Sequence, residues 1–235
     1  MGVVAELILI RHGQSASNVA FPAADAQGLK ESGLTGRDAD VELTEVGAEQ
    51  AAAVGRWLAA LPAGQVPEVI ITSPYLRARE TWRIAAEASG LDFPAPATDD
   101  RLVDRLLGDL EMMTRAAILE RFPDEPARWE QGGEYGYRPP GGEDFSDIAA
   151  RLTSFLDDLN RDHAGERVVV VAHDSVVLMM RYVIEGLNWE SLAEVVAGAG
   201  RVLNASISRF DGSSGRLVLA GYNTIDHLPP AKADQ

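Results

Sequence analysis

The sequence predicts an α/β fold of three layers, α/β/α, with a mostly parallel central sheet and an antiparallel edge. Three observations carry this expectation. Two short apolar runs, Leu7-Ile8-Leu9-Ile10 and Val168-Val169-Val170-Val171-Ala172, have the length and composition of buried parallel strands. Strand-like and helix-like segments alternate along the chain, as they do when crossover helices cover both faces of a sheet. Near the C-terminus two strand-like segments flank Asp211-Gly212-Ser213-Ser214-Gly215, which reads as a hairpin.

Taken in order, Glu6–Ile10 is the first strand. Residues 21–40, with Gly28, Gly33 and Gly36, read as a long loop. A helix follows to about Leu61, with Thr44 as N-cap; Gly47 three residues on means there is no capping box. Pro62 and Gly64 stop it. Val69–Thr72 is the second strand, and Ser73-Pro74 opens a helix that runs to Ser89-Gly90. Residues 95–104 read as extended, and Thr114 starts a helix ended by Phe122-Pro123. Residues 129–142 are rich in Gly, Pro and Tyr and read as a loop. Residues 145–160 place Ile148, Leu152, Phe155, Leu156 and Leu159 on one helical face. Arg167–Ala172 is a strand, residues 175–186 an apolar and therefore buried helix, and residues 205–210 and 216–222 form the hairpin. The expectation is one domain over residues 1–228 and a flexible C-terminal tail over 229–235.

The 235 residues fall in the range of one α/β domain. There is no cysteine, which excludes disulfides, thiolate metal sites and a cysteine nucleophile. No apolar stretch reaches the ~20 residues of a membrane span, and no signal-peptide pattern precedes the first strand, so the expected location is the cytoplasm. A net charge of -15 argues against nucleic acid and anionic membranes as partners. It does not exclude an anionic small molecule, because surface charges are screened beyond about 8 Å at physiological salt. Oligomeric state is left open, a homodimer included.

Chemistry concentrates at strand ends. Arg11-His12-Gly13 follows the first apolar run and His173 the later one. Open α/β sheets bind ligands in a crevice at the carboxyl ends of their strands. Of the other histidines, His163 lies in a polar loop and His227 near the tail. A neutral imidazole such as His12 can attack phosphorus, and guanidiniums grip phosphate oxygens in pairs. A carboxylic acid must then protonate the leaving oxygen. No HExxH or EF-hand-like spacing is present, so no metal and no cofactor is expected.

These residues sit in motifs that resemble the histidine phosphatase superfamily, the phosphoglycerate-mutase-like group. Arg11-His12-Gly13-Gln14-Ser15-Ala16-Ser17-Asn18 is similar to its opening motif. Leu43-Thr44-Glu45-Val46-Gly47-Ala48-Glu49-Gln50-Ala51 and Ser73-Pro74-Tyr75-Leu76-Arg77-Ala78-Arg79-Glu80-Thr81 match its next two, and His173 comes last. The resemblance covers residues 7 to about 210. It implies that His12 becomes phosphorylated and that Arg11, Arg77 and His173 hold the phosphate, with Asn18 nearby. It implies a metal-independent phosphatase of small-molecule phosphomonoesters, or alternatively a phosphoglycerate-type mutase or a non-catalytic phosphate-binding protein on the same fold.

Residues 102–114, 137–143 and 176–182 resemble most the fructose-2,6-bisphosphatase type. Two departures stand out. Asp104 replaces the Glu usual for the proton donor, and Asp174 follows the second histidine where Gly or Gln is usual. In a distant branch a His-Asp pair donates the proton, so Asp104 and Asp174 compete, with Asp104 preferred. Asp174 beside the phosphate, and Gly141 where the bisphosphatase type has Lys, argue against fructose-2,6-bisphosphate itself. Asp174, Arg105 and Arg138 join Asn18 as expected phosphate- or substrate-binding residues.

Overall fold

The computed structural model describes residues 2–229, so all of the expected tail but its first residue lies outside the described residues. Six strands form one sheet: β1 (Glu6–Arg11), β2 (Val69–Thr72), β3 (Ala97–Thr98), β4 (Arg167–Ala172), β5 (Ile207–Asp211) and β6 (Val218–Thr224). Their order is β3-β2-β4-β1-β5-β6. The first four are mutually parallel, and β5 and β6 add the antiparallel edge. Eight α-helices accompany them among the described residues: α1 (Ala16–Ala26), α2 (Glu45–Ala59), α3 (Leu76–Ser89), α4 (Arg115–Arg121), α5 (Glu125–Gly136), α6 (Phe145–Asp162), α7 (Asp174–Glu185) and α8 (Trp189–Ala199).

The two-residue period of a strand divides the core in two. Leu7, Leu9, Val168 and Val170 pack with α6 and α7 on one face of the sheet. Ile8, Ile10, Val169 and Val171 pack with α2 and α3 on the other. This is the expected three-layer α/β/α fold. Chain leaving β1 and β2 therefore turns to one face and chain leaving β4 to the other. A crevice opens at the carboxyl end of the sheet where the connections diverge.

Several local expectations are corrected. Residues 21–26 belong to α1 rather than to a loop. Pro22 removes one helical bond, but five alanines, the best helix formers, surround it. The helix after β2 starts at Leu76, with Tyr75 as its N-cap. Pro74 disfavours a helical Ser73, and Ser73 extends the ladder instead, its N–H donating to Val171 O at 2.9 Å. In the segment 95–104 only Ala97–Thr98 pairs, and Asp100–Leu102 is a 3₁₀ turn. Residues 125–136 are helical with a break at Gly133, where φ is 64°, and not a loop. Helix α8 was not foreseen; Asn188 caps it by accepting the Ser191 N–H at 2.8 Å.

Candidate active site

The parallel register brings the strand ends level. Arg11 pairs with Ala172 and Thr72 with Val171. One step further, the His12 N–H donates to Ala172 O at 2.9 Å. His12 and His173 thus leave neighbouring strands side by side, their ring centroids 5.2 Å apart and their planes inclined at 65°.

The turn after β1 is clamped by the motif segments. Gly13 and Gly47 are in backbone contact: a Cβ on Gly13 would lie 2.4 Å from Gly47 O, and one on Gly47 would lie 2.0 Å from Gln14 O. Thr44 caps α2 through the Gly47 N–H (3.0 Å), and its hydroxyl donates to Gln14 Oε1 (2.7 Å). Thr81 accepts the Gly13 N–H at 3.0 Å and Gln50 the Gln14 N–H at 2.8 Å. These contacts fix where His12 points.

His12 is buried, and its Nδ1 lies 2.7 Å from Gly13 O. A carbonyl only accepts, so Nδ1 carries the proton and Nε2 keeps its lone pair. Arg77 Nε–H meets that lone pair at 3.2 Å. Burial, then Arg77, His173 and Arg11, hold the His12 imidazole well below its usual range. At neutral pH the imidazole is uncharged.

Arg77 is 2% exposed, and all five of its N–H donors are engaged. One goes to His12. The others go to Asp38 O (2.7 Å), Asp38 Oδ1 (3.1 Å), Asp38 Oδ2 (3.0 Å) and Asp104 Oδ2 (3.1 Å). Asp38 lies in a 3₁₀ turn before α2, and its N–H is held by Glu111. Burial raises the Asp38 carboxyl above its usual value, although Arg77 opposes the shift. Tyr75 stacks on the Arg77 guanidinium at 4.9 Å. Its phenol is pushed up to about 12 by burial and by Asp38 and Asp104, so it stays protonated.

Asp104 accepts from Ser175 Oγ (2.7 Å), the Arg105 N–H (2.8 Å) and Arg77. Burial alone would raise its carboxyl. His173, Arg77 and these hydrogen bonds outweigh burial and hold it below the usual carboxylate range. His173 is fully buried behind it. Its Nε2 is 2.8 Å from Ser73 Oγ, and its Nδ1 is 3.4 Å from Asp104 Oδ2. Burial drives this imidazole down to about 3 despite the carboxylate, so His173 too is neutral. Arg11 Nε and His173 Nδ1 are buried with no hydrogen-bond partner. Such groups are rare, and two lie around this one site.

A cavity of about 530 Å³ opens over these groups, lined by Arg11, His12, Asn18, Arg77, Asp104 and Asp174 among others. Asp174 sits at its edge, 3.7 Å from Arg11 and nearly half exposed, while Asp104 lies deeper, against His173 and Arg77. Asn18 lines the cavity while its Oδ1 accepts from the Ser15 N–H (3.0 Å) and Asn204 Nδ2 (3.1 Å). Arg105 also lines it, but its guanidinium donates to Tyr137 O and Glu143 O and rests on the Phe145 ring. Arg138 is not brought to the site: Asp144 and Asp147, at the start of α6, hold it outside the cavity lining. Sequence reasoning missed Asp38, Ser73, Ser175 and Asn204. Ser73 lies inside a quoted motif and Ser175 two residues after His173; Asp38 and Asn204 reach the site only through tertiary contacts. Among the described residues, no group of three or more His, Asp or Glu side chains is arranged to hold a metal ion, and no helix is long and apolar enough to cross a membrane.

Comparison with known proteins agrees with this geometry. The family model described as histidine phosphatase superfamily (branch 1) matches residues 7–225. A 2,3-bisphosphoglycerate-dependent phosphoglycerate mutase of Methylorubrum extorquens (strain PA1) is 32% identical over 197 residues, covering 83% of this chain and 85% of the mutase. The mycobacterial glucosyl-3-phosphoglycerate phosphatase solved with VO3 superposes with a TM-score of 0.70 at 27% identity, over 94% of this chain and 100% of that one. The alpha-ribazole phosphatase of Shigella flexneri shares the fold at 23% identity, with a TM-score of 0.71 over 93% of this chain and 96% of that one. The finer likeness to fructose-2,6-bisphosphatase is not what these comparisons bring out. With its family model spanning nearly the whole sheet and both strand-end histidines, the chain belongs to the histidine phosphatase superfamily, branch 1.

Proposed function

We propose that the protein is a phosphatase of small-molecule phosphomonoesters that works through a phosphohistidine on His12. The observation that carries this is the fixed tautomer of His12: Nδ1 is tied to Gly13 O, so Nε2 presents its lone pair beside Arg77. In the reaction the Nε2 lone pair forms a bond to phosphorus, and the bond from phosphorus to the ester oxygen breaks. Asp104 gives its proton to the departing alkoxide. It acquires that proton from a substrate bound as the monoanion, because a phosphate drawing Arg77 away makes the carboxylate more basic. Water then attacks the phosphohistidine, Asp104 takes the water's proton, and phosphate leaves with His12 neutral again. Arg11 and Arg77 supply the positive charge a transferring phosphoryl group needs, so no metal enters this reading.

Hydrolysis rather than isomerisation is supported by the cavity's outer charges. A phosphoglycerate mutase must also grip a substrate carboxylate. Here Arg11 is paired with Asp174 and Arg115 with Asp25, which leaves Arg201, at the outer edge, as the exposed guanidinium with no carboxylate beside it among the described residues. The mutase reading draws on the 32% identical relative. One experiment separates the two: release of phosphate from a panel of esters, against interconversion of 2- and 3-phosphoglycerate with a bisphosphate primer. The expected result is release, undiminished by EDTA, with an acid-labile phosphoryl group trapped on the wild type and absent from His12→Ala. Isomerisation outpacing release would overturn the proposal. A cytoplasmic location and a lone small-molecule substrate as partner belong to the same proposal.

A further inference from the structure

Beyond the phosphate position the cavity changes character. Phe21 from α1, Leu106, Leu107, Met112 and Met113 from the segment between Asp104 and α4, and Ile118 from α4 give its lining an apolar part. Eight large apolar side chains are exposed among the described residues. Leu106 and Leu107, 39% and 41% exposed, are the two of them that line this cavity. Their exposure is built in. Leu106 exchanges backbone contacts with Glu143: its N–H goes to Glu143 Oε2 (3.2 Å), and its carbonyl accepts the Glu143 N–H (2.9 Å). Gly108 and Gly142 let this segment lie against the 139–142 turn. A Cβ on Gly108 would meet Pro140 O at 2.1 Å, and one on Gly142 would meet Leu106 O at 2.4 Å. These contacts fix the backbone that carries the two leucines. Met112 is held at a φ of 59°, a strained conformation for a residue with a Cβ.

Charge at the mouth does not favour a second anion. The carboxylates of Asp25, Asp38, Glu111 and Asp174 line it, and Arg11, Arg77 and Arg115 each have one of these as a partner. Arg201, at the outer edge, is the exposed cation that remains. With Asp104 and Glu134 the lining holds six carboxylates, against the five guanidiniums of Arg11, Arg77, Arg105, Arg115 and Arg201, so a carboxylate or second phosphate on the leaving group would meet a lining already net negative.

We propose that the alcohol released is neutral and largely apolar, an aryl or medium-chain alkyl group seated against the apolar lining of Phe21, Leu106, Leu107, Met113 and Ile118. This rests on the phosphatase reading. The test is a series of n-alkyl phosphates from propyl to octyl, kept below micelle-forming concentrations, with 3-phosphoglycerate alongside. Leaving-group basicity is nearly constant along this series, so any trend reports the apolar lining and not the chemistry. Each methylene moved from water onto an apolar surface is worth about 0.8 kcal/mol when fully buried, so kcat/KM should rise roughly two- to four-fold per carbon up to about six carbons. In the double variant Leu106→Asp/Leu107→Asp, at exposed positions and checked for an unchanged Tm, the octyl-to-propyl ratio should fall to near one. Phosphate release with a flat or falling trend, or a preference for 3-phosphoglycerate over octyl phosphate, would overturn the proposal and leave the phosphatase reading standing. Release from none of the esters would overturn the phosphatase reading, and this proposal with it.

Discussion

Replacing Asp38 by Asn should tighten the binding of inorganic phosphate. Arg77 has five N–H donors, and Asp38 takes three of them, two through its carboxylate. A phosphate that takes a paired grip on Arg77 must displace those carboxylate oxygens. Asp38 is thus a built-in competitor for the anion. Hydrogen bonds to charged groups are worth about 1.5–3 kcal/mol. The net cost of displacing the carboxylate is on the order of one such bond. Asn keeps one acceptor oxygen but loses the charge, so the inhibition constant for phosphate should fall roughly 10- to 100-fold, at about 1.4 kcal/mol per factor of ten. The assay is inhibition of p-nitrophenyl phosphate hydrolysis by phosphate, with urea unfolding to confirm that the variant is folded. Asp104 still faces Arg77, so the buried cation keeps a partner. An inhibition constant that stays the same or rises would refute the reasoning and make Asp38 a support of Arg77 in the bound state.

Asp104→Asn should slow hydrolysis of alkyl phosphates by about 10²–10⁴-fold but barely affect p-nitrophenyl phosphate, whose leaving group needs no proton. Asp174→Asn should shift substrate preference without that contrast, and the reverse pattern in Brønsted plots would exchange the two roles. Stability should fall on mild acidification. His12 and His173 are buried with lowered affinity for protons, so below an unfolded value of about 6.5 the unfolded chain binds protons that the folded one refuses. The loss runs at about 1.4 kcal/mol per pH unit per histidine, roughly 4 kcal/mol for the pair by pH 5; equal urea midpoints at pH 7 and pH 5 would contradict it. Gly47→Ala should cost about 1–3 kcal/mol and lower kcat as well, since its Cβ would press on Gln14 O at 2.0 Å and move the His12 turn. Gly64→Ala, with nothing within 4 Å, is the control, and equal unfolding midpoints for the two would rule the clash out.

What the sequence determined by itself were the features whose physics is local. The runs at residues 7–10 and 168–172 are apolar on both faces, so they are central strands whatever surrounds them, and a histidine following each must stand at the sheet's carboxyl edge. Thr44 caps α2 because a hydroxyl three residues before a free N–H suffices. Helix α6 shows its buried stripe at helical spacing. Local reasoning failed where local signals conflict. Gly28, Gly33 and Gly36 drew the expected loop back over the end of α1, and glycines hid α5. The tertiary structure alone decided which polar groups meet. Arg77 reaches Asp38 across 39 residues, His173 reaches Ser73 across 100, and Asn204 reaches His12 across 192. It also sent Arg138 to Asp144 and Asp147 and turned Leu106 and Leu107 toward the cavity. Such choices depend on which surfaces remain unburied once the sheet has formed, and the physical reason they escape the sequence is that no short window of residues contains both partners.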